Sequence, residues 1–331
     1  MTDNEREYFW KTLTSFTGEN IAVEREKLNK TVKFPRKLYR FRKPDCNSLE
    51  AMRTNRQFFS SAEYYDDPFD SYCSLDWDRI ISIFQNNLEN LSFNNPTVAY
   101  FNATYGCTND QIQSLFDSKK PDEWIGEGIA ILEILRKNFQ KMQRSICFSE
   151  TDLNEVLWLK YADNHRGFML EFDVFPEALR IDEKYKPETE QAEVMTYYAL
   201  YPVYYSEKQY DATEYFINTV VYMALTNLKL IPPQNPNQYP PSFYWQRERI
   251  NLIKHEYHKY DQEWRILHPY MDKSKPKYHT WKPSGVTIGL RTEKPTRDLI
   301  VALAKEAGIP NIYECYINNK NCLDKRIIQD R

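Results

Sequence analysis

The chain has 331 residues, enough for one large domain or two ordinary ones, and its 44 Lys plus Arg against 47 Asp plus Glu leave a net charge of −3. That balance excludes a general electrostatic drive toward nucleic acid or anionic membranes, so only a local basic patch would supply one; 41% hydrophobic and 27% charged residues exclude wholesale disorder. With 8 Gly against 25 Tyr, 18 Phe and 7 Trp, and with neither G-x-G-x-x-G nor G-x-x-x-x-G-K-[ST], the chain is a poor Rossmann dehydrogenase, P-loop NTPase or protein kinase.

Residues 1–36 are expected to form a peripheral helical extension, with Tyr8, Phe9, Leu13 and Phe16 on one face. The polar start shows no signal peptide, and no run reaches the ~18 apolar residues of a membrane span. Six scattered cysteines without C-x-x-C spacing predict reduced thiols and a cytoplasmic protein. A core domain is predicted over 37–318, followed by a tail over 319–331. Its first strand is Leu38-Tyr39-Arg40-Phe41, bracketed by Pro35 and Pro44. Ser48 is placed to cap a short helix, and an acidic turn runs from Tyr64 to Asp70.

Helical spacing of Ile80, Ile81, Phe84, Leu88 and Leu91, and of Ile131, Leu132, Leu135 and Phe139, predicts a helical insertion over about 76–144. Strands are predicted at Ser145–Ser149 and Gly167–Phe172, with a helix from Asn154 to Asp163 between them. Tyr201–Tyr205 reads as an edge strand because Pro202 cannot donate to a ladder. A helix over Thr213–Leu230, a proline-rich connector from Pro232 to Pro241 and a helix near Tyr244–Glu256 follow. The chain closes with strands at Glu263–His268, Val286–Leu290 and Ile312–Ile317 and a helix at Thr296–Ala307. These elements add up to an α+β domain on a mixed or mainly antiparallel sheet.

Candidate chemistry concentrates at strand ends. Arg40 lies on the first strand and Ser149 closes a middle one. Asp261 and Glu263 are two apart, the spacing that sends both carboxylates to one side of an extended strand. An ion-pair network of Arg40, Glu263 and Arg265 is the structural alternative. Asp66, Asp67 and Asp70 suit a hard cation, or merely cap their own turn. His255-x-x-His258 has metal-like spacing, but no neighbouring carboxylate or cysteine completes a ligand set. Cys147, between Ile146 and Phe148, reads as an inert strand thiol. Lys160, Tyr161 and His165 fall in the loop before Gly167, where site residues are common. Arg247, Arg249, Lys254, His255 and Lys259, with Lys273, Lys275, Lys277 and Lys282, form the candidate basic surface or a plain solvated face.

Leu38-Tyr39-Arg40-Phe41, Phe59-Ser60-Ser61 with Asp67-Pro68-Phe69-Asp70, Cys147-Phe148-Ser149, Trp158 with Tyr161-Ala162 and Gly167, Glu263-Trp264-Arg265 and Ile288-Gly289-Leu290 together resemble the bacterial family called domain of unknown function 2971. A second resemblance is to ADP-ribosyltransferases of the arginine–serine–glutamate type, carried by Arg40, Ser149 and Asp261-x-Glu263 in that order. It implies an ADP-ribosyltransferase-like fold and an enzyme that consumes NAD as substrate without a metal. It implies Glu263, Arg40 and Ser149 as catalytic residues. Tyr39, Tyr65, Asp67, Trp158, Tyr161, His165, Asp261 and Arg265 would line the NAD site. The acceptor (protein, nucleic acid or small molecule) is left open, and toxin or phage-defence roles come with the resemblance. A non-catalytic nucleotide- or partner-binding module is the alternative, and a metal-dependent nuclease or hydrolase using Asp66, Asp67, Asp70 and Glu263 is a third.

Overall fold

A computed structural model of the chain describes residues 1–85, 120–175, 200–227, 243–267 and 278–328, with isolated positions at 106, 108, 110, 111, 114 and 229. The proline-rich connector, Leu88 and Leu91 of the insertion, and Lys273, Lys275 and Lys277 lie outside them.

A capping box between Thr2 and Glu5 starts helix α1 (Asp3–Thr14), and Asn20 caps α2 (Ile21–Thr31) by accepting from Val23 N. Strand β1 (Lys37–Arg42) buries Leu38, Arg40 and Phe41. The Asp45 side chain then caps α3 (Cys46–Arg53), ahead of the short strands β2 (Arg56–Phe58) and β3 (Ser60–Ser61). The insertion is helical where described, in α4 (Trp77–Gln85) and α5 (Pro121–Met142). Strand β4 (Arg144–Ser149), helix α6 (Glu155–Lys160) and the buried strand β5 (Phe168–Asp173) follow. Beyond them come β6 (Leu200–Pro202), β7 (Tyr204–Ser206) and α7 (Thr213–Asn227). The predicted helix near Tyr244–Glu256 is a single short turn, α8 (Gln246–Asn251). The chain then bends into β8 (Ile253–His255), a 3-10 turn (Glu256–Asp261) and β9 (Glu263–Leu267). The C-terminal part holds β10 (Tyr278–Thr280), β11 (Gly285–Ile288), α9 (Lys294–Glu306), β12 (Asn311–Ile317) and β13 (Leu323–Ile327). The fold is α+β.

The main sheet runs β13-β12-β11-β5-β1-β4-β9-β6 and is antiparallel except between β11 and β12. Pro202 sits on the edge strand β6, as its missing N–H requires. On one face Leu38, Phe148, Leu170, Trp264 and Val286 pack with Phe9, Leu13 and Ile300 of the helices. On the other, Phe41 and Met169 pack with Leu157 and Trp158 of α6. A satellite core joins α4, α5 and α7 through Ile80, Leu132, Phe139 and Phe216.

Two expectations change. The N-terminal helices are part of the main core, because Phe9, Leu13 and Leu28 are fully buried in it. The expected C-terminal tail contains β13, paired in register with β12 from Tyr313 opposite Ile327 to Ile317 opposite Leu323.

Candidate functional site

Neighbouring strands β1 and β4 share one register pair, Tyr39 opposite Ser149. Beyond it they part, and the edge of β4 near Arg144 is taken instead by β3, with Ser60 opposite Ser145 and Ser61 opposite Arg144. The sheet is therefore forked. A cavity of about 230 Å³ opens in the fork, covered by the Tyr64–Asp70 turn, by α6 and by the segment from Lys254 to Glu263. Register sets what each strand contributes. Tyr39, Ser149 and Glu263 are adjacent across β1, β4 and β9 and so share one face, as do Cys147 and Arg265. Arg40 and Arg42 lie on the opposite face and reach the cavity where the strands separate.

The first end of the cavity is acidic and tightly paired. Arg265, fully buried, donates from Nη1 and Nη2 to Asp70 at 2.8 and 2.5 Å, from Nε to Glu263 Oε1 at 2.6 Å, and from Nη1 to the Asn251 carbonyl at 2.7 Å. Lys254 Nζ donates to Asp261 Oδ2 at 2.8 Å and Glu263 Oε2 at 3.1 Å, and lies 3.7 Å from Asp70 Oδ2. The two carboxyls at 261 and 263 are pushed apart. Burial opposes ionisation of Glu263, but Arg265 and Lys254 outweigh it and hold its carboxyl well below the usual range. For Asp261 burial prevails over Lys254 and the charge on Glu263 adds to it, so this carboxyl moves up. Asp261 Oδ1 is buried without a hydrogen-bond partner. His258 Nε2 stands 3.2 Å from Asp67 Oδ2, and its Nδ1 stands 3.8 Å from Asp261 Oδ2. Glu263 is thus held as the anion near neutral pH, and Asp261 is the more readily protonated of the two.

Among Asp70, Asp261 and Glu263 the positive charge comes from Lys254 and Arg265. Among the described residues no group of three or more His, Cys, Asp and Glu side chains is arranged to hold a metal ion. The other end of the cavity is cationic. Arg40 donates to Gln57 Oε1 at 2.9 Å and to the Phe58 carbonyl at 3.3 Å, and its guanidinium lies 5.8 Å from the Phe148 ring centroid.

Of the residues nominated from the sequence, Tyr39, Arg40, Tyr65, Asp67, Ser149, Tyr161, Asp261 and Glu263 line this one cavity. Three nominated residues do not. Trp158 is fully buried, donates Nε1 to the Asp152 carbonyl at 2.9 Å and stacks on His165, so both rings belong to the packing under α6. Arg265 lies behind the cavity as the partner of Glu263 and Asp70. The ion-pair alternative is half right, since Glu263 pairs with Arg265 but Arg40 takes no part. Ser149 Oγ is engaged with Thr151, whose N–H donates to it at 3.1 Å. Cys147 lines the cavity with its thiol pushed up to about 12 by burial, in line with an unreactive group.

Sequence reasoning missed Lys254, Arg42, Tyr64 and Arg6. Among the described residues, the expected basic surface is broken up at Arg249, Lys254 and Lys259, while Lys273, Lys275 and Lys277 lie outside them. Arg249 is buried and donates to the carbonyls of Leu13 and Phe16, Lys254 belongs to the acid cluster, and Lys259 pairs with Asp3. His255 ends a strand and His258 lies in the 3-10 turn, so they are not on one helix. Arg6 donates to the carbonyls of Val203 and Glu263 at 2.7 and 3.0 Å and to Glu150 Oε1 at 2.7 Å, pinning the start of β9.

Fold and site define an α+β protein with a forked, mostly antiparallel sheet and a two-ended charged cavity in the fork. Residues 157–266 match the model of the family described as Protein of unknown function (DUF2971), which supports the family resemblance. The matched stretch contains Tyr161, Lys254, Asp261, Glu263 and Arg265, while Arg40, Arg42 and Ser149 precede it. No curated protein and no solved structure matches the chain.

Proposed function

We propose that the fork cavity binds a nucleotide of the NAD type and cleaves its nicotinamide–ribose bond, passing the ADP-ribosyl group to an acceptor or to water. What supports this is that Arg40, Ser149 and Glu263 line one cavity with arginines at one end and carboxylates at the other. NAD carries its phosphates on one side of a ribose that turns cationic as the bond breaks, so the two charges of the cavity match the two parts of the ligand. In the reaction the C1′–N bond breaks with its electron pair going to nicotinamide. A bond forms from C1′ to the acceptor, and the acceptor's proton goes to Asp261. Glu263, anionic throughout, stabilises the oxocarbenium-like ribosyl group. At about 230 Å³ the cavity is smaller than the ~300–1,000 Å³ of typical ligand pockets, so it encloses only part of a dinucleotide. Tyr64, 78% exposed at the rim, offers a flat ring to the remainder.

The test is nicotinamide release. Glu263→Gln retains an acceptor for Arg265 and loses the charge, so turnover is expected to fall by roughly 10²-fold or more while NAD binding changes far less. Melting temperature is measured in the same variant, because Glu263 also belongs to a buried ion-pair cluster. A folded Glu263→Gln protein with wild-type turnover, or a wild type that releases no nicotinamide, removes the catalytic proposal. A nucleotide-binding module without chemistry is favoured by one observation: both Glu263 oxygens are already engaged, by Arg265 and Lys254. That reading expects NAD to raise the melting temperature with no nicotinamide formed.

A further inference from the structure

We propose that Arg42 joins Arg40 to form a phosphoryl-binding subsite at the cationic end of the cavity; this rests on the reading of the cavity as a nucleotide site. The two residues are two apart on β1, on the same side of the strand, and both line the cavity. Their surroundings differ from those of the cations paired with carboxylates nearby; buried Arg249 also has only backbone carbonyls as partners, but it does not line the cavity. Arg6 has Glu150, Arg265 has Asp70 and Glu263, and Lys254 has Asp261 and Glu263. Arg40 has only the neutral oxygens of Gln57 and Phe58. Among the described residues, Arg42 has no carboxylate within 4.0 Å of its guanidinium and no side-chain hydrogen bond. The acid nearest along the chain, Asp45, is occupied as the cap of α3, accepting from Ser48 N at 2.8 Å. Two neighbouring guanidinium groups with no directly paired carboxylate are unfavourable in a partly enclosed site, although the more distant charge of Asp45 partly offsets this for Arg42. Burial pulls both below their ordinary value, and the charge on Arg42 adds to the effect on Arg40.

An oxyanion with several acceptors relieves this directly, since each guanidinium presents a planar fork of donors. The presentation is rigid. The Arg42 carbonyl lies so close to Gly167 that a Cβ there would come within 2.1 Å of its oxygen, which fixes the end of β1 against the start of β5. A phosphoryl group is the commitment, because the same cavity must leave its carboxylate end to an uncharged or cationic part of the ligand.

The experiment measures binding of ADP, inorganic pyrophosphate and adenosine at constant ionic strength to the wild type, Arg42→Ala and Arg42→Lys. The wild type is expected to bind ADP and pyrophosphate, with adenosine at least about tenfold weaker. Arg42→Ala is expected to lose roughly 10- to 100-fold for ADP and pyrophosphate, with Arg42→Lys recovering part of it. Without ligand, the melting temperature of Arg42→Ala should fall little if at all, because the charge removed has no directly paired carboxylate. If that variant fails to fold, Arg42→Gln decides in its place. Wild-type affinity for ADP in the charge-free variant, adenosine binding equal to ADP, or no binding of either phosphate ligand by the wild type overturns the subsite. The two proposals separate cleanly. Loss of ADP binding on Arg42→Ala in a protein that releases no nicotinamide keeps the subsite and ends the cleavage reading. NAD cleavage with unchanged KM in Arg42→Ala does the reverse.

Discussion

Asp261 and Glu263 are two positions apart, and burial acts on them with opposite results. Glu263 has a cation on each oxygen, whereas Asp261 shares Lys254 and keeps Oδ1 open. Lys254 therefore decides the balance of the acid end. Its ammonium lies within 4.0 Å of three carboxylates, and their attraction outweighs burial to keep it charged. Replacing it with Met should leave Asp261 and Glu263 under-compensated and cost about 3–5 kcal/mol of stability, the range for one partner removed from a buried pair. Denaturant unfolding measures this. Adding Glu263→Gln to Lys254→Met should return part of the loss, and strict additivity of the two changes would show that the groups are not coupled.

At the level of elements, the site depends on how the end of β1 is held while its neighbour β4 departs. Gly167 and Gly289 lock that end. Gly167 N donates to the Ala162 carbonyl at 2.8 Å, and Gly289 N donates to the Gly167 carbonyl at 2.9 Å. A Cβ on Gly289 would lie 2.3 Å from the His165 carbonyl oxygen, as little room as at Gly167. Backbone atoms cannot yield as a flexible side chain does. Gly167→Ala is thus expected to destabilise by at least the ~1–3 kcal/mol typical of overpacking, and to weaken ligand binding at Arg42 more than proton chemistry at Asp261. Thermal unfolding with parallel ADP titration checks both parts. An alanine variant with the wild-type melting temperature would show that β1 and β5 separate without cost.

Across the whole molecule, the two halves of the sheet are joined by one residue pair at Tyr39 and Ser149, and α1 clamps the β9 half through Arg6. Acid stability has a source outside the main sheet in His279, buried on β10 opposite Gln57 of β2. Burial lowers its pKa from 6.5 to about 4, so between these values the unfolded chain binds a proton that the folded one does not. Stability should be fully present above pH 6.5 and decline as pH falls toward 4, by about 3 kcal/mol at about 1.36 kcal/mol per pH unit. Glu263 contributes in the same direction but only below its ordinary value of 4.5, where protonation would break its pairs. His279→Gln should flatten unfolding free energy between pH 6.5 and 4 and leave the lower limb. An unchanged slope would assign the acid sensitivity elsewhere.

Local rules in the sequence were enough for the α+β class, the strands carrying Arg40, Ser149 and Glu263, and the edge position of Pro202. Alternation, caps and proline act over a few residues, where the chain itself supplies the context. Candidate site residues were legible in part: Glu263 as the start of a strand and Tyr161 by its loop before Gly167. Asp261 meets Glu263 from the end of the 3-10 turn, with Gln262 left-handed between them, and not along an extended strand. Charge and burial across long separations were not legible. Arg247, Arg249 and Lys254 read as one basic face, yet Arg249 on α8 turns to the Leu13 and Phe16 carbonyls, and the chain leaves α8 at Leu252, placing Lys254 against Asp261 and Glu263. Trp158 and His165 read as ligand groups, since nothing nearby in sequence reveals that they stack on each other under the sheet. Arg42 drew no attention because its significance is the lack of a counter-charge. That lack is a property of the fork between β1 and β4, where tertiary pairing leaves two arginines lining the cavity without a directly paired carboxylate.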